Sequence, residues 1–398
     1  MDGRLWAQIN PKTSILRYQL GKKAGSLANA LLDFKYPTAS REFDWNLSQS
    51  LWTKNHIHLF SSEEKDVITP FQEAFTKLQE VYQKLPKSII HNDINNYNIL
   101  VSEDLTNPKV VSFIDFGDAV EAQTINDLAV LLAYAIMEVP DPLEAAIDVL
   151  KGYQITYDLT EKEIECLYPL TAMRLITTVT KAAIRKAENS NNSYHVISEK
   201  PAWDALQKWA QISADHAHFS FRNAIGLPAH PNKNAFHNWA SKQAISFSQL
   251  FPTAPPVLKS IEDETYADIH LLDMKVSSTW IGNVHEFNNL SLFTHKIEEL
   301  QKEHPTKLIA NGYLEPRPVY TSSTYDKEGN NGPESRTVHL GIDFWLPAGT
   351  AVHALFDAEI YTAINDVGYK EYGGLIILKH QENDITFYTL HGHLTADI

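Results

Sequence analysis

The stretch HNDINNYNIL at residues 91–100, followed by VSFIDFGD at residues 111–118, decides the fold of the N-terminal half. Asp93 and Asn98 stand in a polar loop between two short β-rich runs, and Asp115 ends the next run. Phosphoryl transfer needs such a set, because one carboxylate orients the attacking hydroxyl while an amide oxygen and a second carboxylate hold Mg²⁺. The alternative is that Asp93 and Asn95 only form turns and that Asp115 only ends a strand. The ordered combination favours the catalytic interpretation.

Around this loop, the pattern of apolar residues predicts a mainly helical domain. Apolar residues recur with a helical period over residues 70–85. Residues 126–221 are again helical in character, with a polar break at 188–193. The β-rich runs that frame the loop predict short strands at residues 88–91, 98–102 and 110–115.

The two stretches resemble the aminoglycoside phosphotransferase-like kinases, a group that includes hydroxylysine, homoserine and choline kinases. REFDWNL at residues 41–47 and NDLAVLLAYAIM at residues 126–137 resemble two further segments of that family. The resemblance implies a protein-kinase-like fold with ATP and Mg²⁺ as cofactors. It implies that Asp93 is the catalytic base and that Asn98 and Asp115 bind the nucleotide through Mg²⁺.

The same resemblance assigns supporting roles and leaves one part of the family pattern unmatched. Asp127 is expected to brace the catalytic loop, and His91 to orient or pack against it. Family members carry an N-terminal lobe with a lysine that pairs the ATP phosphates. Lys22 and Lys23, beside Gly21, are interpreted as a solvated face, and residues 1–90 contain no glycine-rich loop. The expectation is a kinase C-lobe without its N-lobe, which puts catalysis by this chain alone in doubt.

A second constellation lies near the C-terminus, in the strings HLGIDFWLPAGTAVHA, YGGLIILKH and FYTLHGHL. A straight strand would hold His339 and Asp343 about 13 Å apart, so the chain must bend if both bind one ion, and Gly341 permits the bend. His391 and His393 are two residues apart and can face the same side of a strand. After an acidic segment at 262–268, strands are predicted at residues 337–344, 351–356, 359–364, 375–380 and 385–390.

These strings resemble the β-sheet core of the M23 (lysostaphin- or LytM-type) peptidases. The resemblance implies that His339 and Asp343 bind Zn²⁺ and that His393 polarises the substrate or the bound water. The family's third ligand comes from a later His-Leu-His motif, which is not in this sequence. His391 and His380 are the candidate substitutes.

The fold class expected is therefore a multidomain α+β protein. We predict a kinase-like domain at residues 1–225, a helical linker at 226–305 with a helix at 288–303, and a truncated M23-like core at 306–398. The linker FRNAIGLPAHPNKNAFHNW and the string GYLEPRPVY complete a resemblance to bacterial fusions that end in a class III aminotransferase dependent on pyridoxal phosphate. Further domains on both sides of this chain are expected.

The net charge of the chain limits the classes of ligand it can bind. The charge of −15 at pH 7 argues against general nucleic-acid binding, which needs a basic surface, and suits a cationic amine. The single cysteine, Cys166, excludes an internal disulfide framework and a cysteine-rich zinc module and is expected to be buried.

The longest apolar run, residues 128–137, is too short to span a bilayer, and no signal peptide is recognisable. A cytoplasmic location without membrane partners is expected.

Three functions stay open at this point. The leading hypothesis is a phosphotransferase that acts on the hydroxyl of a small amino compound, such as hydroxylysine, an amino alcohol or an aminoglycoside. The second is a zinc peptidase of the M23 type. The third is a non-catalytic scaffold for a C-terminal aminotransferase.

Overall fold

The computed structural model describes residues 3–188, 199–252, 269–318, 320, 323–368 and 370–397. The predicted acidic segment at 262–268 and most of the predicted polar break at 188–193 lie outside these residues. The chain divides into two compact units. The first unit contains Met1–Pro231 and Glu328–Gly332, and the second contains Asn232–Lys327 and Pro333–Ile398.

Helices make up most of the first unit. Two stretches of 3-10 helix, Leu47–Leu59 and Phe116–Asp118, lie beside the predicted catalytic segments. The α-helices described in this unit are α1 (Ser14–Leu31), α2 (Ser62–Lys77), α3 (Gln79–Tyr82), α4 (Ile125–Ala135), α5 (Pro142–Tyr153), α6 (Glu161–Glu188), α7 (Glu199–Ala210) and α8 (Ala214–Ala224).

Short antiparallel strands frame the predicted catalytic loop. They are β1 (Arg4–Leu5), β2 (Lys87–Ile90), β3 (Ile99–Val101), β4 (Val110–Phe113) and β5 (Val120–Gln123). β1, β3 and β4 form one sheet in that order, and β2 pairs with β5. The three strands predicted around the loop are therefore confirmed as β2, β3 and β4.

The long apolar run of the sequence forms the centre of the first core. Residues 128–133 of α4 are fully buried. Burial of such side chains stabilises a fold by about 1.5–3 kcal/mol for each large aliphatic residue. Within the described residues, no helix combines the length and the apolar character needed to cross a membrane.

Helices α1 and α5 cross at glycine residues. A Cβ atom on Gly21 would lie 1.8 Å from a backbone carbonyl oxygen of α5, and one on Gly152 would lie 1.9 Å from the Tyr18 carbonyl oxygen. Only glycine allows backbones to approach so closely. Gly21 is thus a packing residue inside a helix, and Lys22 and Lys23 beside it are exposed, as the sequence predicted.

The second unit contains four described α-helices and several small sheets. The helices are α9 (Lys233–Ala240), α10 (Phe247–Leu250), α11 (Val284–Phe287) and α12 (Leu290–Glu303). The strands from residue 269 onward are β6 (Ile269–Leu272), β7 (Leu308–Asn311), β8 (Glu315–Pro316), β9 (Asp326–Gly329), β10 (Gly332–Ser335), β11 (Val338–His339), β12 (Phe344–Trp345), β13 (Glu359–Asp366), β14 (Gly373–Glu382) and β15 (Ile385–Leu394). Of these, β9 and β10 are divided between the two units, because Glu328–Gly332 belongs to the first.

Pairing in the second unit joins part of the predicted linker to the C-terminal strands. β6 pairs in parallel with β7, and β7 pairs antiparallel with β12. The helix predicted at 288–303 is confirmed as α12, which packs Ile297 and Leu300 into the same core cluster as Ile309 of β7. β13, β14 and β15 form a separate antiparallel sheet.

Two strand predictions need correction. The predicted strand 337–344 is two short strands, β11 and β12, with a bend between them. The predicted strand 351–356 is wrong, because this segment is irregular in the structure. Its backbone is satisfied elsewhere: the His353 N–H donates to the Leu250 carbonyl at the end of α10 over 2.8 Å.

Candidate active site

The loop between β2 and β3 is fixed from below by Asp127 of α4. Its two carboxylate oxygens accept hydrogen bonds from the backbone N–H groups of His91, at 2.9 Å, and Asn92, at 2.6 Å. Asn92 has a φ of 67°, in the left-handed region. Burial raises the pKa of Asp127, and the Asn92 and His91 hydrogen bonds oppose that rise. Asp127 therefore has the bracing position that the sequence resemblance implied.

His91 joins the start of this loop to the end of β4. The side chain is fully buried, and its Nδ1 accepts a 3.3 Å hydrogen bond from the Asp93 N–H. Nε2 lies 3.0 Å from the Ile114 carbonyl oxygen, which can only accept, so Nε2 carries the proton. The ring also packs 4.5 Å from that of Phe116. These contacts agree with an orienting and packing role.

Asp93 projects from this loop with both carboxylate oxygens engaged. Oδ1 accepts a hydrogen bond from Arg174 Nη2 at 2.9 Å. Oδ2 accepts hydrogen bonds from Asn95 Nδ2 at 2.9 Å and from Asn98 Nδ2 at 3.0 Å. The side chain keeps 22% of its surface exposed. The carboxylate is thus held in one orientation while a reactant still has access to it.

Asn98 and Asp115 come together through the ladder between β3 and β4. The Ile114 N–H donates to the Asn98 carbonyl oxygen over 3.0 Å, so Asp115 follows directly beside Asn98. Asp115 has a φ of 64°, and its Oδ1 accepts a 3.2 Å hydrogen bond from the Gly117 N–H. Asn98 donates through Nδ2, which leaves its Oδ1 for another partner. An amide oxygen next to an exposed carboxylate is a donor set that fits Mg²⁺.

Asp118 is a site residue that the sequence analysis did not assign. Burial raises the pKa of its carboxyl group, the Asp93 charge raises it further, and Arg41 and Arg174 oppose the rise. Asp115 adds a smaller rise. Asp93, Asp115 and Asp118 thus share one electrostatic environment. The signal in the sequence was the second aspartate of IDFGD, three residues after the first.

Arg174 is the second residue that sequence reasoning missed. It lies on α6, is only 2% exposed, and its guanidinium stacks 4.5 Å from the Trp45 ring and 5.5 Å from the Tyr134 ring. Nη2 also donates to the Tyr134 hydroxyl over 3.2 Å. The available signal was a single arginine within the otherwise uncharged stretch LTAMRLIT of a helix.

Trp45, on which this arginine stacks, lines a cavity of about 600 Å³. Most of its lining comes from residues 42–52, and the rest comes from α6. Lys181 of α6 pairs with Asp44 and lies 5.1 Å over the Trp52 ring. The lining residues are Glu42, Phe43, Asp44, Trp45, Gln49, Trp52 and Lys181. Aromatic walls with two extra carboxylates suit an organic amine.

Comparison with known proteins agrees with this geometry. Residues 1–162 match the APH model, described as the phosphotransferase enzyme family. This part of the first unit is therefore similar in sequence to that family. Hydroxylysine kinase from Xenopus laevis is 29% identical over 225 residues, which are 52% of this chain and 59% of that protein. Hydroxylysine kinase from Danio rerio is 27% identical over 229 residues, 54% of this chain and 62% of that protein.

Solved structures give weaker likenesses to the same part of the chain. Amicoumacin kinase hAmiN, in complex with AMP-PNP, Ca²⁺ and Ami, has a TM-score of 0.38 and 14% identity, over 54% of this chain and 66% of that chain. A microcompartment-associated aminopropanol kinase has a TM-score of 0.36 and 18% identity, over 55% and 65%. The chain spans about three fifths of the length of the curated relatives it matches.

In the second unit, His339 and Asp343 lie close together, as the predicted bend requires. His339 Nε2 is 3.6 Å from Asp343 Oδ1. Asp343 Oδ2 is already engaged, by Arg317 Nη1 at 2.8 Å and by Asn311 Nδ2 at 2.8 Å. Burial lowers the pKa of His339, although the Asp343 charge opposes this effect. The pair is therefore held by an arginine, whose charge disfavours a second cation at Asp343.

The other histidines of this unit are arranged along β14 and β15. His380 Nε2 lies 2.9 Å from Thr389 Oγ1, and the same oxygen lies 3.1 Å from His391 Nε2. His393 has a φ of 58°, and its N–H donates to the Tyr372 carbonyl over 2.8 Å. Across the described ranges, no group of three or more His, Cys, Asp or Glu residues could hold a metal ion.

The single thiol of the chain, Cys166, belongs to neither of the two candidate sites. Cys166 is buried, as predicted, and burial raises its pKa to about 12. A thiol with so high a pKa is almost entirely protonated at neutral pH and is a poor nucleophile.

Proposed function

We propose that the first unit takes part in ATP- and Mg²⁺-dependent phosphoryl transfer to the hydroxyl of a small amino compound. The observation that carries this proposal is the Asp93 carboxylate, which is partly exposed and is held by Arg174 and Asn98 beside the Asp115 turn. The match of residues 1–162 to the model of a phosphotransferase family supports this proposal.

Each residue of the site has a distinct task in this proposal. Asp93 orients the acceptor hydroxyl and takes its proton as the oxygen attacks. Asn98 Oδ1 and the carboxylates of Asp115 and Asp118 are the groups that would hold Mg²⁺ and, through it, the nucleotide. When bound, the ion offsets the charge of the phosphate oxygens. Asp127 keeps the loop in place through the backbone and touches no reactant.

The class of acceptor follows from the cavity and from the relatives. Among the residues that line the aromatic cavity, Lys181 is paired with Asp44 and the Glu42 carboxylate remains, so the lining has a net negative charge, which favours a cationic amine over a neutral alcohol. Relatives described as hydroxylysine kinases act, by that name, on an amino acid with two amines and a hydroxyl. We propose an acceptor of this amino-compound class and a cytoplasmic site of action.

Turnover by the gene product that contains residues 1–398 tests the proposal. With MgATP and hydroxylysine, ethanolamine or kanamycin as acceptor, phosphorylated product is expected from at least one of them. The isosteric variant Asp93→Asn should lower kcat about 100-fold or more and leave ATP affinity nearly unchanged, since the base acts only during transfer. Asp104→Ala, in an exposed turn, is the matched control. Full turnover in Asp93→Asn would contradict the assignment of the base.

For the second unit, a zinc peptidase of the M23 type is the second candidate function. The one observation in its favour is the 3.6 Å approach of His339 to Asp343. The ion pair between Arg317 and Asp343 argues against it. We therefore propose that this unit serves as a non-catalytic module, and that an aminotransferase domain adjoins it in the gene product.

A further inference from the structure

Arg174 has more hydrogen-bonding capacity than the protein uses. Only Nη2 is engaged, by the Asp93 carboxylate and the Tyr134 hydroxyl. Nε and Nη1 are buried and have no hydrogen-bond partner among the described residues. A buried donor without an acceptor costs about 1–3 kcal/mol, and more when the group is charged. Holding Asp93 requires a single N–H, so it does not account for a buried guanidinium.

The position of Arg174 shows where the missing acceptors would come from. On one side it binds the carboxylate of Asp93, which is the group that orients the acceptor hydroxyl in the proposed function. On another side its guanidinium stacks on Trp45, which lines the 600 Å³ cavity. Arg174 therefore contacts both a wall of the cavity, through Trp45, and the Asp93 carboxylate. Lys181, the cation among the residues that line the cavity, is already paired with Asp44.

We infer that Arg174 binds a carboxylate of the acceptor, so that the substrate is a hydroxy amino acid and not a carboxylate-free amino alcohol or amino sugar. A planar guanidinium matches a carboxylate better than any other side chain does, because its N–H groups donate in a fixed fork. The acceptor would place its hydroxyl on Asp93, its carboxylate on Arg174 and its amine towards Glu42, because Asp44 is paired with Lys181. This inference rests on the proposed function and names its substrate class.

Two ligands that differ only in the carboxylate separate this role from a merely structural one. They are 5-hydroxylysine and 1,5-diaminopentan-2-ol, which is the same molecule without the carboxylate. Calorimetric titration into the protein of residues 1–398 should show tighter binding of hydroxylysine. Arg174→Met, which keeps an unbranched apolar side chain at this buried position but removes the guanidinium, should weaken the binding of hydroxylysine by about 10- to 100-fold and leave the binding of the diamine nearly unchanged.

Controls make each outcome decisive. Arg185→Met removes an exposed arginine from the same helix and should change neither affinity. Should Arg174→Met fail to fold, Arg174→Lys keeps the charge beside Asp93 but loses the fork, and it should still lose most of the preference for hydroxylysine. Equal loss for both ligands, or no loss for either, would overturn the inference and leave Arg174 as a positioning residue for Asp93.

Failure of this inference and failure of the proposed function can be told apart. If hydroxylysine binds through Arg174 but the gene product transfers no phosphate, the phosphotransferase proposal fails and the carboxylate site stands. If phosphate is transferred equally well to both ligands and Arg174→Met does not change their ratio, the carboxylate site fails and the phosphotransferase stands. If neither ligand binds to the wild-type protein, the carboxylate site is refuted.

Discussion

Replacing Asp127 with alanine should loosen the catalytic loop without touching a reactant. The carboxylate is completely buried at the start of α4 and binds the backbone N–H groups of His91 and Asn92. Both donors belong to the turn that aims Asp93, and Asn92 is held there with a positive φ. Asp127→Ala leaves two buried N–H groups without acceptors, because the methyl group of alanine cannot accept a hydrogen bond.

The expected size of the effect follows from those two hydrogen bonds. Each buried N–H left without an acceptor costs about 1–3 kcal/mol, so the loop should lose about 2–6 kcal/mol of local stability. Ionisation of Asp127 offsets part of this, because burial disfavours its charged form and raises its pKa. The lower half of that range is therefore expected. Asp127→Asn still accepts one bond but turns an N–H towards the other donor, so its loss should be intermediate.

Peptide-resolved hydrogen exchange measures this local stability independently of the second unit. In Asp127→Ala, amides of residues 91–98 should exchange about 30-fold faster or more, since each 1.4 kcal/mol corresponds to a factor of ten. Asp104 also accepts hydrogen bonds, from Thr106 and Asn107, but it lies in an exposed turn where water can replace it. Asp104→Ala should therefore leave the loop's exchange unchanged. Wild-type exchange rates in Asp127→Ala would refute the bracing role.

Three further outcomes are expected. Gly152→Ala should destabilise the first unit by about 3 kcal/mol, because its Cβ would collide with the Tyr18 carbonyl, and a chemical denaturation midpoint equal to wild type would contradict the helix crossing. Burial, assisted by the His380 charge, lowers the pKa of His391. The folded state then binds a proton less readily than the unfolded state, so the second unit should lose stability as pH falls through about 6.5, and His391→Gln should reduce that dependence in thermal melts. Added Zn²⁺ should shift the melting temperature negligibly, whereas a shift of several degrees abolished by His339→Ala would establish a metal site.

The sequence predicted the strands and turns that carry the proposed catalytic residues because these residues are close together in the chain. Asp93, Asn98 and Asp115 stand at the ends of β2, β3 and β4, and their spacing depends only on short strands and turns. The same holds for His339 and Asp343, where one bend between two short strands brings the pair together. Local geometry of this kind is encoded in turn residues and β-rich runs.

What the sequence did not predict depends on distant contacts. Arg174 lies 81 residues from Asp93, and only the packing of α6 against α4 and the 3-10 helix that follows Trp45 brings them together. The segment 351–356 failed for a related reason. Its apolar run, with Val352 and Phe356, is typical of a buried strand, but the backbone N–H of His353 donates to the end of α10 instead of to a neighbouring strand.

The residues around the proposed catalytic loop differ in burial because some of them hold its backbone and others are proposed to contact the reactants. Asp127 and His91 hold the loop from the core side and are almost completely buried, and their bonds go to backbone groups. They can therefore fix the turn while using none of the side chains that carry chemistry. Asp93, in the same loop, remains partly exposed, and Asp115, which follows β4, is exposed. A carboxylate serves as a base only if it is both oriented and accessible, and this arrangement supplies the first property from below without removing the second.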